Sequence, residues 1–270
     1  MKVAIVTKIN CKSCINIARI IISALPSDWD IIYEKSLARA IKKPGLEINE
    51  INADIIIVIG GDGTILRTAQ FAHGNILGIN VGGLGFLSEI EIGNIEASIL
   101  KLIRNEYTII EYMGLDVYVN GVYSGKAIND AVIHTDKVSK IRKFRLYENN
   151  YFIETTSADG VIVATPIGST SYSFSAGGPI LMPNLNGIVV SYIAPVGFRS
   201  RSIVFSEKTD LKIAIVGERS LLTIDGQIEK KLSKNDVVNI RVSENGARFI
   251  SMYTNFYEKL REKLIKDVVN

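Results

Sequence analysis

The run "ADIIIVI" (Ala53–Ile59) ends in glycines wrapped around one aspartate, "IGGDGTIL" (Ile59–Leu66). A β-branched run this apolar suits a strand covered on both faces, as the strands of parallel sheets are. "TILRTAQFAH" follows at once with a helical pattern, so the glycines occupy a strand-to-helix turn. The neighbouring segments repeat the alternation. "KVAIVT" reads as a strand, "INIARIIISALP" as a helix stopping near Pro26, and "WDIIYEK" as a strand. "NILGIN" reads as another strand, and "NIEASILKLIRNEY" predicts a helix from Ile95 to about Arg104. Strands and helices in this order imply an α/β domain with a parallel sheet over residues 1–105.

Beyond that point the period changes. "EYMGLDVYVNGVYSGKAINDAVIHT" alternates and carries the hairpin signal Asn120-Gly121. "GVIVATP", "GIVVSYIAP", "SIVF", "DLKIAIV", "SLLTIDGQ" and "DVVNIRVSE" extend the series with few helical patterns. Residues 106–248 therefore read as a mostly β, sandwich-like domain, and residues 249–270 as a final helix whose return to the first domain the sequence leaves open.

Composition removes several function classes. With 47% hydrophobic and 22% charged residues the chain of 270 residues has material for a sizeable core. A net charge of +3 is too small a surplus for a nucleic-acid surface without a concentrated basic patch. The basic run "KVSKIRKFR" (Lys137–Arg145) reads as a solvated strand edge, and "EKLREKLIK" near the end alternates sign and reads as a solvated helix face. Neither a signal peptide nor a bilayer-spanning run is present, so a cytoplasmic protein is expected. Cys11 and Cys14 form a C-x-x-C with no second pair, and His73 and His134 are the only histidines. Free thiols at a loop or helix start are expected, and no protein metal site.

The glycine turn admits two readings. It can be a tight turn, since glycine takes positive φ freely. It can also cradle phosphate with backbone N–H groups and the following helix N-terminus. Its place beyond the carboxyl end of a buried strand is where open α/β sheets bind ligands. Neither a Walker A loop nor G-x-G-x-x-G is present. Asp62 would repel phosphate unless it has another task, such as meeting a nucleotide's Mg²⁺, holding a ribose hydroxyl or accepting a proton from an attacking hydroxyl. Each suits phosphoryl transfer. "GINVGGLGFL" (Gly78–Leu87) is a second glycine-dense turn, with Phe86 either in the core or over a ligand ring.

In the β region, "VATPIGSTSYSFSAGGPI" (Val163–Ile180) is too small and polar for a core strand, yet apolar strands flank it. Its hydroxyls and glycines offer close neutral hydrogen bonds, and Tyr172 adds a ring with a polar tip. A serine nucleophile is disfavoured because G-x-S-x-G is absent and neither histidine has an elbow context. Asn129 and Asp130, adjacent in "INDAV", must point to opposite faces of a strand. They are a satisfied buried pair, a bulge, or readers of adenine and ribose. Asp159 and Asp225 are ambiguous, because Asp-Gly is also a turn signal.

Taken together, "GGDGT", "LGFL", the strand "ND", "DGVIVATPIGSTSYSFSAGGPI" and a late "DGQ" resemble the NAD kinase family. "GGDGT" alone is shared with diacylglycerol and sphingosine kinases; the "SAGGP" segment discriminates. The resemblance implies transfer of the terminal phosphate of ATP, or of polyphosphate, to the adenosine 2′-hydroxyl of NAD. It implies Asp62 as the catalytic carboxylate, with Gly60, Gly61, Gly63 and Thr64 shaping the phosphate turn and Arg67 one helical turn on. Phe86, Asn129, Asp130, Asp159, Thr170, Ser171, Tyr172, Ser173, Phe174 and Ser175 would bind the dinucleotide, with Ala194, Gln227 and Lys140 as further contacts. Ile167 stands where the family commonly has Thr or Ser, so one hydroxyl contact is missing. Mg²⁺ would arrive with ATP, and a homodimer or homotetramer is implied. A lipid kinase sharing the loop, a nonenzymatic nucleotide sensor and a dehydrogenase are the rival readings, the last weakened by the missing G-x-G-x-x-G and the all-β second half.

Overall fold

A computed structural model describes residues 1–82, 85–136, 141–197, 200–217, 219–253 and 256–265. The chain opens as β1 (Lys2–Thr7), α1 (Lys12–Ala24), β2 (Asp30–Tyr33), α2 (Lys35–Ile41), β3 (Asn52–Gly60), α3 (Asp62–Phe71), β4 (His73–Asn80), α4 (Ile95–Ile103) and β5 (Thr108–Tyr112). A β series follows: β6 (Leu115–Val119), β7 (Val122–Ala127), β8 (Asp130–Thr135), β9 (Arg142–Glu148), β10 (Tyr151–Ala158) and β11 (Gly160–Ala164). The short helix α5 (Tyr172–Ser175) precedes β12 (Gly187–Ile193), β13 (Ile203–Ser206), β14 (Leu211–Val216), β15 (Ser220–Ile224), β16 (Ile228–Leu232) and β17 (Val237–Val242). The chain closes with β18 (Ala247–Ser251) and α6 (Phe256–Leu260), which runs into a π-helical turn, Arg261–Ile265.

Two compact units result, Met1–Glu111 with Ala247–Asn270, and Tyr112–Gly246. In the first, the sheet order is β2-β1-β3-β4-β18-β5, and β1, β2, β3, β4 and β18 pair in parallel. The central strand β3 shows why its sequence is uninterrupted. Ile55, Ile57 and Ile59 join a core with Ile17 and Ile21 of α1 and Ile99 and Leu102 of α4. Ile56 and Val58, on the opposite face, are buried just as fully. Burying each such side chain contributes about 1.5–3 kcal/mol, so neither face tolerates a polar residue. The strand ends where the glycines begin, and α3 starts at Asp62.

The second unit is a sandwich of two six-stranded antiparallel sheets, β10-β9-β14-β17-β6-β7 and β13-β12-β11-β8-β15-β16. Leu115, Val117, Phe144, Leu146, Ile213 and Ile240 of one sheet share a core with Ile133, Val161, Val163, Val190 and Ile224 of the other. The Asn120-Gly121 hairpin forms between β6 and β7 with φ of 50° and 79°, the left-handed pair its turn type demands.

Three expectations are corrected. The described part of the basic run, Arg142–Arg145, is not a strand edge: β9 lies between β10 and β14, and Arg142 is buried, its guanidinium 3.3 Å from Asp136 Oδ1, while Lys143 and Arg145 are exposed as expected; Lys137–Lys140 lie outside the described residues. The cysteines are not free: Cys11 caps α1 and is disulfide-bonded to Cys14, one helical turn on, with the Cα atoms 5.3 Å apart, within bonding reach. In "EKLREKLIK" the expectation holds only in part: Glu258, Arg261 and Glu262 are exposed, but Lys259 is buried and Lys263 is three-quarters so.

Candidate active site

In the α/β unit the geometry centres on Asp62, the first residue of α3. A carboxylate in the first turn is well placed against the helix dipole. The loop after β4 holds it in place: Phe86 N–H donates to Oδ2 at 2.8 Å and Leu87 N–H to Oδ1 at 3.2 Å. This is possible only because residue 85 lacks a side chain. A Cβ on Gly85 would stand 2.1 Å from Asp62 Oδ1. Gly60 is likewise required by the protein itself, since a Cβ there would meet Thr64 Oγ1 at 2.7 Å. Gly61 and Gly63 differ: a Cβ on either would meet nothing within 4 Å, and neither has positive φ. Neither packing nor backbone conformation accounts for glycine at these two positions. Open space beside two exposed turn amides is what close approach of a ligand requires.

The other residues of the first unit fall around this turn. Thr64 N–H donates to Gly61 O at 2.9 Å, closing the first helical turn. Arg67 faces Glu34, with Nη2 3.7 Å from Oε1, and the same nitrogen is buried without a hydrogen-bond partner among the described residues. Phe86 is buried, its ring 6.0 Å from Phe256 of α6. The C-terminal segment is fixed here by more than that contact. Glu89 Oε1 accepts from Met252 N–H at 2.6 Å and Tyr253 N–H at 2.7 Å. Lys259 Nζ donates to Phe86 O at 3.1 Å and Ser88 O at 2.8 Å. Lys263 Nζ lies 3.8 Å from Asp62 Oδ2 and 4.4 Å from the centre of the Phe86 ring. Burial lowers the pKa of both lysines, against the pull of nearby carboxylates.

In the β unit the organising residue is Asp225, which its sequence context left ambiguous between a turn and a site. It does make the turn, with φ of 49° and 64° at Asp225 and Gly226. Its buried carboxylate also accepts from Ile128, Asn129 and Asp130 N–H at 2.7, 2.8 and 3.0 Å. Those bonds fix the segment that presents Asn129 and Asp130. Thr165 secures it from the other side, donating to Ile128 O at 2.6 Å. Gly168 packs so closely that a Cβ would lie 2.0 Å from Asn129 O. Asn129 Nδ2 donates to Ser171 Oγ at 3.1 Å, while its Oδ1 is buried with no partner among the described residues. Asp130 is 7% exposed and accepts no side-chain hydrogen bond among the described residues. Burial, then the Asp225 charge, push its carboxyl up from 3.8 to about 7.

The hydroxyl-rich segment divides in two. Thr165, Ser169, Thr170 and Ser173 are buried and bond within the protein: Ser169 Oγ accepts from Leu181 N–H at 2.8 Å, Thr170 donates to Ile167 O at 2.9 Å, and Ser173 meets Ser191 Oγ at 2.9 Å. Tyr172 and Phe174 of α5 are 46% and 40% exposed, so their rings face outward, and Ser175 is exposed between them and Gly177. Gln227 Nε2 lies 3.4 Å from Asp225 O, Ala194 has φ of 44°, and Asp159 N–H bonds Ile193 O at 2.9 Å. Lys140 lies outside the described residues. Among the described residues no group of three or more His, Cys, Asp or Glu side chains gathers for a metal, and no helix is long and apolar enough to cross a membrane.

Residues 31–107 match the ATP-NAD kinase N-terminal domain and residues 128–252 the ATP-NAD kinase C-terminal domain. The NAD kinase of Thermoplasma volcanium is 50% identical over 272 aligned residues, covering 100% of both chains, and that of Thermoplasma acidophilum 47% over the same span. The fold is also that of yeast NADH kinase solved with NADH, at a TM-score of 0.90 and 20% identity over 100% of this chain and 88% of that one. An NAD kinase from Archaeoglobus fulgidus solved with ATP superposes at a TM-score of 0.79 with 26% identity, over 97% of this chain and 99% of that one.

Proposed function

Since this chain belongs to the NAD kinase family, we propose that Asp62 is the carboxylate that takes the proton from the adenosine 2′-hydroxyl of NAD as the terminal phosphate of ATP arrives. The chain is an enzyme that transfers this phosphate to NAD, giving NADP. The observation that carries the role of Asp62 is the pairing of an acid held by two loop amides with two neighbouring glycines whose openness the protein does not use.

The chemistry follows. The 2′-oxygen attacks the terminal phosphorus, the bond to the β-phosphate oxygen breaks, and ADP leaves with that electron pair. The hydroxyl proton passes to Asp62. The turn amides around Gly61 and Gly63 receive phosphate oxygens, an electrostatic contribution that costs no rearrangement at the moment of transfer. Polyphosphate presents the same terminal phosphoanhydride, and the turn would accept it as an alternative donor. Mg²⁺ would enter on the donor, holding its phosphate and water ligands, since Asp62 is the one acid in the Gly60–Thr64 turn.

In the β unit, Asn129 and Asp130 are the polar groups that read the adenosine. Asn129 Oδ1 and the Asp130 carboxyl are acceptors in search of donors, and adenine amino and ribose hydroxyl groups supply them. Tyr172, Phe174 and Ser175 add the exposed surface over which the dinucleotide lies, with Asp159, Ala194 and Gln227 at its margins. Thr170 and Ser173 act by holding α5 in place. The enzyme works in the cytoplasm, where its soluble nucleotide substrates are. It works as a homo-oligomer, a reading supported by Tyr151 and Phe152, 78% and 58% exposed on the edge strand β10.

The direct test is to incubate the purified chain with NAD and Mg²⁺ and either ATP or polyphosphate, and to measure NADP. No NADP with either donor would refute the reading. Tyr172→Ala is expected to weaken NAD binding ~10-fold, the scale of one stacked base, and to leave ATP binding within about twofold. Calorimetry showing equal losses for the two ligands would take Tyr172 out of the dinucleotide site.

A further inference from the structure

We propose that Lys263, from the turn that follows α6, is the phosphate-neutralising cation of the transfer site: it contacts the terminal phosphate of the donor beside Asp62. This rests on the functional reading above and assigns one more residue to the same site.

The glycine turn has no lysine of its own in the position a Walker A loop supplies, and it carries an acid where anions must meet. Among the described residues, the cations near it are few. Arg67 is turned to Glu34. Lys8 borders Gly60 but its side chain is exposed. Lys259 is spent on the carbonyls of Phe86 and Ser88. Lys263 alone points its ammonium at the reacting carboxylate, at 3.8 Å, over the face of Phe86. That distance exceeds a hydrogen bond, and among the described residues Lys263 donates none. A largely buried ammonium that faces a carboxylate and a ring but makes no hydrogen bond among the described residues, beside a phosphate turn, is a site for an anion.

Its position is not incidental. Phe256, Lys259 and Lys263 recur at intervals of three and four, so one side of the helical segment meets the loop after β4. Lys259, buried and bonded, anchors that side, and Lys263 is set one turn further, over Asp62. With donor bound, the ammonium shifts from pairing with Asp62 to the terminal phosphate, where charge spreads over the transferring oxygens. It moves no proton. The carboxylate it releases is then free to receive the proton of the 2′-hydroxyl.

Lys263→Met and Lys263→Gln, with Lys263→Arg as the conservative variant, test this. A lost charge-assisted bond predicts that both neutral variants bind the β,γ-imido analogue of ATP ~10-fold or more weakly, while AMP, which lacks the distal phosphates, binds as before. The KM for ATP rises, kcat falls ~10-fold or more, the KM for NAD stays within about twofold, and Lys263→Arg recovers most of the loss. Turnover equal to or above that of the wild type in the neutral variants would overturn the proposal. So would equal weakening of AMP and the imido analogue, or loss of the folded state in both. The wild-type chain run alongside carries the functional reading: NADP formed by it and equally by Lys263→Met would refute the lysine and leave the kinase standing.

Discussion

Asp62→Asn lowers kcat by ~10²–10⁴-fold, the range over which a positioned general base acts, with binding of NAD and ATP nearly intact. The substitution keeps the shape of the side chain and an oxygen for the amide of Phe86 or Leu87, but it removes the charge that, in the proposed mechanism, accepts the proton. Steady-state kinetics beside calorimetry of each nucleotide separates the two effects. Turnover near the wild-type value would remove Asp62 from the chemistry. A loss of both nucleotide affinities matching the loss of kcat would make it a binding residue instead.

Asp130→Asn has effects of opposite sign on stability and on function. The carboxyl is 7% exposed beside Asp225, and its pKa stands at about 7 against 3.8. Below the unfolded value both states hold the proton and the site costs nothing. As pH rises towards about 7 the unfolded chain has released its proton while the folded chain retains it, so stability falls; above that it levels off. Asparagine cannot ionise, so it escapes this loss. Above pH about 7 the variant is expected to be more stable by roughly 2–4 kcal/mol, an order-of-magnitude value from 1.36 kcal/mol per pK unit. Affinity for NAD falls ~10–100-fold, because an anionic acceptor for ribose or adenine donors is gone. Urea unfolding across the pH range and NAD titration read both. An unchanged pH profile of stability would show that Asp130 is not desolvated in the folded protein. Unchanged NAD affinity would place the dinucleotide elsewhere.

Among the described residues the buried Asp130 carboxyl accepts no hydrogen bond, which costs stability, and the contacts of Asp225, Thr165 and Gly168 are to the backbone of residues 128–130, not to that carboxyl. The same logic applies to Asn129 Oδ1, which is buried and unpartnered among the described residues. In the proposed reading, a bound dinucleotide would supply the donors that both groups lack among the described residues.

Much of this was legible along the chain. Period and composition were enough for the parallel sheet, the β sandwich and the hairpin at Asn120-Gly121, because each depends on near neighbours: side chains alternating across a strand, or glycine where φ is positive. The place of Asp62 at a strand-to-helix turn followed for the same reason. The tertiary structure alone decided which glycines serve the protein and which leave room. Gly60 and Gly85 sit against Thr64 and Asp62, and Gly61 and Gly63 against nothing, though all four look alike in sequence. It also decided the role of Asp225, whose bonds reach back about a hundred positions to Ile128, Asn129 and Asp130, and the inward turn of Lys259 and Lys263. Charges alternating along a helix state that one side is polar; they do not state what that side meets. Here it meets the carbonyls of Phe86 and Ser88 and the carboxylate of Asp62, groups more than 170 positions away that only the folded sheet brings within reach.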